Sequence, residues 1–403
     1  MRILLTPFGS RGDVQPMLAL GLGLRARGHN VVVGAAPRYR AWIEELGLQF
    51  HEIGGDFEPW LRQQGTRNPF SALKSLGLYL RNEVPLCFSQ TREAVCGADL
   101  VVTTIHLAAH SAAEAAGVSC RTILFTPQLL PSRFHPPLAI PPQHLPLWCN
   151  RFLWWAMTRA FDLLFKGPVN RERAKLGLPP VSEYLVHARG VEPVVAADSA
   201  LAPIPSDVPL GPIQTGALML PAVGTLDPQI ESFLSGGEPP IYVGFGSTPD
   251  KFPDETVRLI AGAVRASGRR AVLGAGWAGL DAVFLPQEIM VIRDTPHALL
   301  FPHIVVAVHH GGAGTTATAL RAGVPQIVVP HLGDQFFHGR RIRDLGVGPE
   351  PIPRGKLTVR RLGTAIREAL EPALVTRARA LAGELRDIDG VAATTDSLLR
   401  CPR

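Results

Sequence analysis

The stretch VHHGGAGTTATALRAG, residues 308–323, decides the fold of this chain. It follows the apolar run IVVAV (304–308), which is typical of a buried strand, and its glycines let backbone N–H groups approach a ligand closely. Thr315 and Thr316 then open a helix, whose N-terminus carries partial positive charge. A strand, a glycine turn and a helix in this order predict a pyrophosphate site built from backbone amides, although a tight turn alone also explains the glycines. The GKS or GKT of a P-loop is missing.

Short apolar strands alternate with helices on both sides of this stretch. A helix is predicted from Gln15 to Arg27, and strands at 2–6, 31–35, 99–104, 122–125, 193–197, 241–245, 271–274, 289–292, 304–308 and 326–330. The alternation predicts an α/β protein of two doubly wound parallel-sheet domains that face each other across a cleft. We expect a first domain over 1–211, a second domain over 212–383, and a C-terminal helix over 384–403 that packs back on the first domain.

Composition excludes several classes of protein. The five cysteines are odd in number and lack CxxC spacing, which favours reduced thiols in the cytoplasm over a disulfide framework or a metal site. The net charge is +6, but the basic residues are spread along the chain, so we expect no nucleic-acid partner. No apolar stretch reaches the length of a membrane span, and the start, MRILLTPFGS, is typical of a strand and not of a signal peptide.

Two further features point to a sugar nucleotide. His309 offers a ring N–H that can sit beside a phosphate. Asp334 and Gln335 follow the predicted strand 326–330, so they belong at its carboxyl end, facing the cleft. A carboxylate beside a carboxamide can hold neighbouring sugar hydroxyls, because one only accepts hydrogen bonds and the other also donates them. The alternative is an ordinary turn with an aspartate at a helix start.

The segment 134–165 is rich in proline and tryptophan and allows three interpretations. It is a helix packed on the core, a wall of an apolar acceptor pocket that includes Phe134 and Trp148, or a surface helix that touches a membrane. The sequence leaves all three open, and peripheral membrane contact with them.

Four stretches resemble one known family. The run from His309 to Gly348, with GDQFFHGRRIRDLGVG, resembles the nucleotide-sugar signature of the GT-B family 1 glycosyltransferases, most closely the sterol glucosyltransferase and glycopeptide-antibiotic branch. The opening Gly9–His29, the segment NRERAKLGLPP (170–180) and the turn VGFGS (243–247) are similar to the same branch. The resemblance covers both domains and implies the GT-B fold, with an acceptor-binding domain over 1–211 and a nucleotide-sugar-binding domain over 212–383.

The resemblance also implies roles for individual residues. Asp13, expected in the loop after the first strand, stands where the family has its general base, with Ser10 and Arg11 beside the acceptor. The pair that holds the sugar is Asp334 and Gln335. The expected diphosphate contacts are Ser247, His309, Gly311, Gly312, Ala313, Gly314 and Thr315, and the expected nucleobase contacts are Arg293, Asp294 and His297. The chain lacks the family's tryptophan at the base and its ribose-binding glutamate, where Ala317 stands, so UDP and dTDP both remain candidates.

These expectations describe an inverting transfer of a hexose to a hydroxyl of an apolar small molecule, without metal or cofactor. A salt bridge with Arg11 is the alternative role for Asp13, and His106, His135 and His331 are rival bases. A nucleotide-sugar epimerase would need paired acid and base groups, and an NAD-dependent oxidoreductase would need GxGxxG after the first strand, where PFGSRGD stands. A non-catalytic partner would not need Asp13. The acceptor, the sugar and the oligomeric state stay open.

Overall fold

The computed structural model describes residues 1–55, 69–138, 140–209, 211–246, 252–275, 285–293 and 295–400, with residues 69–78 described by their backbone alone. The first half forms a sheet of seven parallel strands in the order β3-β2-β1-β4-β5-β6-β7. The strands are β1 (Arg2–Thr6), β2 (Asn30–Ala35), β3 (Gln49–Glu52), β4 (Leu100–Thr103), β5 (Ser119–Leu124), β6 (Val194–Val195) and β7 (Ile213–Gln214).

Helices cover this sheet because crossovers between parallel strands place them on its faces. They are α1 (Arg11–Ala26), α2 (Arg40–Glu45), α3 (Pro69–Val95), α4 (Ala109–Ala116), α5 (Leu147–Phe161), α6 (Gly167–Lys175) and α7 (Tyr184–Arg189). A π-helical turn, Asp162–Lys166, joins α5 to α6. In its described residues, the segment 134–165 thus holds irregular backbone followed by a helix.

The second half forms a second parallel sheet, whose strands have the order β10-β9-β8-β11-β12. These are β8 (Ile241–Gly244), β9 (Ala271–Gly274), β10 (Ile289–Ile292), β11 (Val306–His309) and β12 (Gln326–Val328). The helices are α8 (Pro228–Ser235), α9 (Pro253–Ser267), α10 (His297–Leu300), α11 (Ala313–Arg321), α12 (Gln335–Asp344), α13 (Val359–Ala369), α14 (Pro372–Leu385) and α15 (Gly390–Leu399). The predicted architecture of two doubly wound sheets is confirmed.

Two predicted limits need correction. The first sheet extends past residue 211, because β7 pairs with β6, so the first domain ends after Gln214. The last helix begins at Gly390 and not at 384, because α14 continues to Leu385. This last helix lies on the first domain, where Leu398 belongs to the core around β1 and Val391 packs against Gly23 of α1.

The strand order reverses once in each sheet, and these reversals position the candidate site. In the first sheet, the reversal lies between β1 and β4, and in the second it lies between β8 and β11. Ligands of open α/β sheets bind outside the carboxyl ends of strands at such reversals. The loops after β1, β8 and β11 are therefore the parts of the fold to examine.

The two domains touch beside this cleft. Arg321 at the end of α11 binds the buried carboxylate of Asp198, and one apolar cluster holds both Leu124 of the first sheet and Val328 of the second. In the described part of the chain, no helix is both long enough and apolar enough to cross a membrane.

Candidate active site

Asp13 lies in the first turn of α1 and not in the loop after β1, because the helix begins at Arg11, four residues before the predicted start at Gln15. Ser10 caps the helix, since its hydroxyl accepts a hydrogen bond from the N–H of Gly12 at 3.2 Å. Asp13 completes a capping box, because its Oδ2 accepts from the Ser10 N–H at 2.8 Å. Gly9 has φ +134°, and a Cβ there would lie 2.3 Å from Oδ2. The turn therefore needs glycine at this position and holds the carboxylate in one orientation.

The environment of Asp13 suits a base. Burial raises the pKa of this carboxyl to about 6, against the two Ser10 hydrogen bonds, which lower it, and with help from the charge of Asp334. A base whose pKa is nearer to neutral pH takes a proton more readily than an ordinary carboxylate near 4. The influence of Asp334 also means that the two domains bring these carboxylates close to each other across the cleft.

Arg11 does not hold the Asp13 carboxylate, which is bound by Ser10. Its guanidinium lies 5.0 Å from the ring centre of Trp42, and its charge helps to lower the pKa of His297 in the second domain. Arg11 thus faces the cleft from the first domain. The alternative role predicted for Asp13, a salt bridge with Arg11, has no support in this geometry.

The His309 side chain lies inside the second domain, at the end of β11. The ring is fully buried, its Nδ1 accepts from the N–H of Gly311 at 3.0 Å, and its Nε2 lies 2.8 Å from Oε1 of Gln326. This pattern requires the hydrogen on Nε2, and burial lowers the pKa of the ring to about 4, so the imidazole is neutral. Both nitrogens are used inside the protein. The ring therefore holds the glycine turn through Gly311, and the predicted contact of His309 with a phosphate stays a prediction.

The glycine turn itself leaves backbone groups open for an anion. Gly312 is the N-cap of α11 and offers no side chain to its first turn, whose N–H groups are then unsatisfied by a cap. Ala313 and Thr315 are half-buried and Gly314 is exposed, while Thr316 turns inward and bonds the Gly312 carbonyl at 2.9 Å. The helix N-terminus is thus partly exposed, and its role as a diphosphate site stays a prediction.

His310 was missed by the sequence reasoning, although it is the second histidine of the quoted motif. Its ring lies between the turns after β8 and β11, since a Cβ at Gly246 or Gly312 would lie 2.7 or 2.5 Å from ring atoms. Burial lowers the pKa of His310 to about 3, and its Nδ1 is buried without a hydrogen-bond partner among the described residues. His310 is thus a neutral, buried ring packed against Gly246 and Gly312.

Asp334 and Gln335 stand at the start of α12. Oε1 of Gln335 accepts from the N–H groups of His331 and Leu332 at 2.8 and 3.0 Å, which leaves its Nε2 amide for a ligand. Burial raises the pKa of Asp334, against the nearby His338, whose Nδ1 lies 3.8 Å from Oδ2. The same Nδ1 lies 2.8 Å from the Gly311 carbonyl. His338 therefore ties α12 to the glycine turn.

The predicted nucleobase residues are less enclosed. Arg293 is exposed, and His297 is half-buried with its Nε2 at 2.8 Å from the Tyr242 hydroxyl and its ring stacked on Phe301. Burial lowers the pKa of His297 to about 4. Ser247 and Asp294 lie outside the described residues, so their contacts with the nucleotide stay predictions.

The rival bases differ in which ring nitrogen is available. Nδ1 of His106 accepts from two backbone N–H groups at 3.0 and 3.1 Å, so its Nε2 carries the hydrogen and cannot take a proton. Nδ1 of His135 bonds the Pro136 carbonyl and its Nε2 is buried. Nδ1 of His331 lies 2.8 Å from the Val329 carbonyl. Of the three rival bases, this geometry therefore excludes His106.

The predicted acceptor wall lies mostly in the open. Phe134 is 43% exposed and Trp148 is 71% exposed, so neither ring is enclosed in a pocket. Leu138 lies closer to the cleft, with its Cδ2 3.9 Å from the position of a Cβ at Gly333. Contact of Phe134 and Trp148 with an acceptor stays a prediction.

Comparison with known proteins gives the family. The model described as glycosyltransferase family 28 N-terminal domain matches residues 3–114, and that described as erythromycin biosynthesis protein CIII-like, C-terminal domain, matches residues 276–388. Glycosyltransferase GtfE of Amycolatopsis orientalis is 37% identical over 99% of this chain and 97% of its own length. The vancomycin aglycone glucosyltransferase of the same organism is 35% identical with the same coverage.

A plant relative and a solved structure extend this result. A sterol 3-beta-glucosyltransferase of Arabidopsis thaliana is 31% identical over 99% of this chain and 68% of its own length. The crystal structure of glycosyltransferase VinC in complex with dTDP covers 99% of both chains with a TM-score of 0.70 at 21% identity. The chain is a GT-B family 1 glycosyltransferase. Both the predicted family and the predicted fold class are confirmed.

The two family models fall on the two sides of the glycosyltransferase cleft. The first contains Asp13, and the second contains the glycine turn together with Asp334 and Gln335. Within the described ranges, no group of three or more histidine, cysteine, aspartate or glutamate side chains is placed to hold a metal ion.

Proposed function

We propose that this glycosyltransferase moves a hexose from UDP- or dTDP-sugar to a hydroxyl of an apolar small molecule, with inversion and without metal. The observation that carries the proposal is the arrangement of three groups around one cleft. Asp13, with its raised pKa, lies on the first domain, while Asp334 and the open N-terminus of α11 lie on the second. A base, a sugar-binding carboxylate and an anion site are the parts that this transfer needs.

The leaving diphosphate would bind at the N-terminus of α11. The N–H groups of Ala313, Gly314 and Thr315 point to an incoming anion, and the helix dipole adds to their effect. Charge that develops on the leaving oxygen is stabilised there without a metal ion. His309 keeps the turn in shape through Gly311, and His310 forms its floor. Ser247, Arg293, Asp294 and His297 remain the candidates for the rest of the nucleotide.

The sugar would lie between the diphosphate and Asp13. Asp334 accepts hydrogen bonds from sugar hydroxyls, and the Nε2 amide of Gln335 donates one, because its Oε1 is already used. His338 fixes this pair relative to the glycine turn. The anomeric carbon is thereby held at a set distance from the leaving group.

In the reaction, the acceptor oxygen attacks the anomeric carbon from the side opposite the diphosphate. The new bond from carbon to the acceptor oxygen forms while the bond to the diphosphate oxygen breaks, so the configuration at this carbon inverts. The hydroxyl proton passes to a carboxylate oxygen of Asp13. The products are the glycoside, the nucleoside diphosphate and protonated Asp13, which then releases its proton to water.

The acceptor class follows from the relatives. By their names, two of them glucosylate a vancomycin aglycone and a sterol. We infer a natural-product aglycone or a sterol as the acceptor of this chain, bound near Leu138. The described cysteines Cys87, Cys96, Cys120 and Cys149 are free thiols, which fits work in the cytoplasm.

The test is a transfer assay followed by mass spectrometry. UDP-glucose and dTDP-glucose are each incubated with a panel of aglycones and sterols, and the product anomer is assigned by NMR. We expect a β-glycoside from these α-linked donors, formed equally well in EDTA. A matched control, Asp254→Asn on the exposed start of α9, should leave the rate unchanged. The mechanism would be contradicted by retention of configuration at the anomeric carbon. It would also be contradicted by activity that is lost on chelation and restored by Mg²⁺.

A further inference from the structure

The helix α5 exposes three large aromatic side chains on one face. Trp148 is 71% exposed, and Phe152 and Trp155 are each 58% exposed. They are spaced by four and three residues, which places them on consecutive turns of the same side. The rings of Phe152 and Trp155 stack at 5.8 Å. We call these three residues the aromatic face.

The opposite side of α5 fixes the helix to the protein. Trp154 is buried and donates from Nε1 to the His135 carbonyl at 3.1 Å, and Asn150 donates from Nδ2 to the Arg133 carbonyl at 2.8 Å. The exposure of the aromatic face is therefore a property of a well-anchored helix. Since an aromatic side chain buries about 150–250 Å² when covered, the face offers roughly 300–450 Å² of apolar surface. An apolar patch of this size is comparable to the largest patch on a typical monomeric protein, which is often functional.

More apolar and cationic side chains extend the aromatic face. Leu147 at its start is 49% exposed, and Leu163 after its end is 86% exposed. Arg151 is exposed, and among the described residues no carboxylate lies within 4.0 Å of it. Arg159 lies 3.5 Å from both Asp162 and Glu183. Aromatic and leucine side chains beside arginine are typical of helices that lie in a membrane interface.

A second surface feature lies where the chain enters α5. A cavity of about 780 Å³ includes Gln143 in its wall, and Arg340 binds the Gln143 carbonyl. Gln143 and Leu147 are four residues apart, so at most about 14 Å of chain separates them. Five cations line this cavity, and we call them the basic cluster: Arg340, Arg343, Lys356, Arg360 and Arg361.

The basic cluster carries more positive charge than its neighbours neutralise. Arg340 pairs with Asp344 at 3.2 Å and Arg343 with Glu350 at 2.8 Å. In the part of the chain that the structure describes, Lys356, Arg360 and Arg361 have no carboxylate within 4.0 Å, although Glu350 and Glu368 also line the cavity. Excess positive charge remains available to an anionic partner.

From these two features we infer that the aromatic face and the basic cluster together dock the protein on an anionic lipid surface. Tryptophan and phenylalanine side chains insert at the headgroup level, and lysine and arginine are drawn to anionic lipids. A second copy of the chain is a poorer occupant. It would bring a like-charged basic cluster and a net charge of +6 to the same region.

Docking there would place the cleft beside the membrane. Trp154 and Asn150 of α5 bind the carbonyls of His135 and Arg133. Leu138, a few residues farther along this segment, lies beside Gly333 at the edge of the proposed sugar site. An apolar acceptor dissolved in lipid would then reach the cleft without crossing much water. This consequence rests on the proposed function, whereas the docking itself does not.

Vesicle flotation tests the inference directly. The full chain is mixed with vesicles of phosphatidylcholine, with or without phosphatidylglycerol, and the floated fraction is measured. We expect binding to the anionic vesicles that weakens with added salt. The variant W148A/F152A/W155A should lose about tenfold or more in partition coefficient. The variant R360Q/R361Q should lose about fivefold for each arginine removed.

Matched controls use exposed residues elsewhere on the molecule. V191S/V223S removes two apolar side chains that are 94% and 79% exposed, and R92Q/R379Q removes two exposed arginines. Both should float like the wild type. If circular dichroism finds the triple variant unfolded, F152A/W155A replaces it. Because no donor or acceptor is present, the result stands even where the proposed function fails.

Three outcomes would overturn the inference. In the first, wild-type protein stays unbound with anionic vesicles. In the second, the aromatic variant floats as well as the wild type. In the third, the wild type is a dimer by size-exclusion chromatography, and the aromatic variant is a monomer that floats unchanged. The third result would assign the aromatic face to self-association.

Discussion

Nε2 of His309 lies 2.8 Å from Oε1 of Gln326, on the neighbouring strand β12. This hydrogen bond joins the strand that ends in the glycine turn to the strand that leads to Asp334 and Gln335. It also fixes the ring so that Nδ1 receives the Gly311 N–H. The two halves of the proposed donor site are thus linked through one buried imidazole.

The first prediction compares Gln326→Leu with His309→Ala. If His309 acts by positioning the turn, both substitutions should weaken UDP or dTDP binding to a similar degree, by about tenfold. This corresponds to the roughly 1.4 kcal/mol of one buried hydrogen bond left unmade. Titration calorimetry on the purified variants gives the affinities. A loss in His309→Ala at least tenfold larger than in Gln326→Leu would mean that the ring touches the phosphate.

The second prediction concerns Asp13→Asn. As general base, Asp13 should contribute roughly 10²–10⁴-fold, so the single-turnover rate should fall by about that factor. Donor affinity should barely change, because the proposed nucleotide site lies on the other domain. Asp254→Asn again serves as the control. If Asp13→Asn turns over at nearly the wild-type rate, the base lies elsewhere, and His331→Gln is the next variant to measure.

The third prediction is the pH dependence of kcat/KM. Burial raises the pKa of Asp13 to about 6, and the base acts only when ionised. The rate should therefore fall as pH drops below about 6, well above the range of an ordinary carboxylate. The charge of Asp334 contributes to the rise, so Asp334→Asn should move the acidic limb to lower pH, whatever it does to the maximum. If the acidic limb does not move, the charge of Asp334 does not influence the pKa of the catalytic base.

The fourth prediction uses two glycines of the same turn. Gly311 has φ +93°, and a Cβ there would lie 2.7 Å from Val328 Cγ1 and 3.0 Å from the Gln335 carbonyl oxygen. Gly311→Ala should cost about 1–3 kcal/mol of unfolding free energy and weaken donor binding.

Gly314 is the matched control for this substitution. It lies in the first turn of α11 with open space around its Cα. Gly314→Ala should preserve stability or raise it by about 0.5–1 kcal/mol, because alanine loses less entropy in a helix. Denaturant unfolding measures both variants. Equal behaviour of the two would remove the steric argument for Gly311.

The strands and the two parallel sheets were predictable from the sequence, because buried parallel strands appear as short apolar runs. The contact of His309 was not predictable, since it depends on Gln326, seventeen residues away, which meets it only once β11 and β12 pair. The start of α1 at Arg11 could have been predicted from the sequence, because Ser10 and Asp13 have the spacing of a capping box.

The tryptophans of α5 illustrate a different limit. Trp154 and Trp155 are adjacent in sequence, yet one is 5% exposed and the other 58%. The difference is set by the His135 carbonyl, which meets the indole of Trp154 only in the folded chain. Composition located the segment, but the contact between Trp154 and the His135 carbonyl decided which ring faces outward.

The return of α15 to the first domain limits how the two halves can move. The polypeptide passes between the domains twice, once after Gln214 and again before Gly390, and these passages lie side by side, with Gly390 against Ala217. Two neighbouring tethers allow rotation about an axis near them and resist sliding. Opening of the cleft should therefore occur by rotation about an axis near Ala217 and Gly390, with little change in the packing between them.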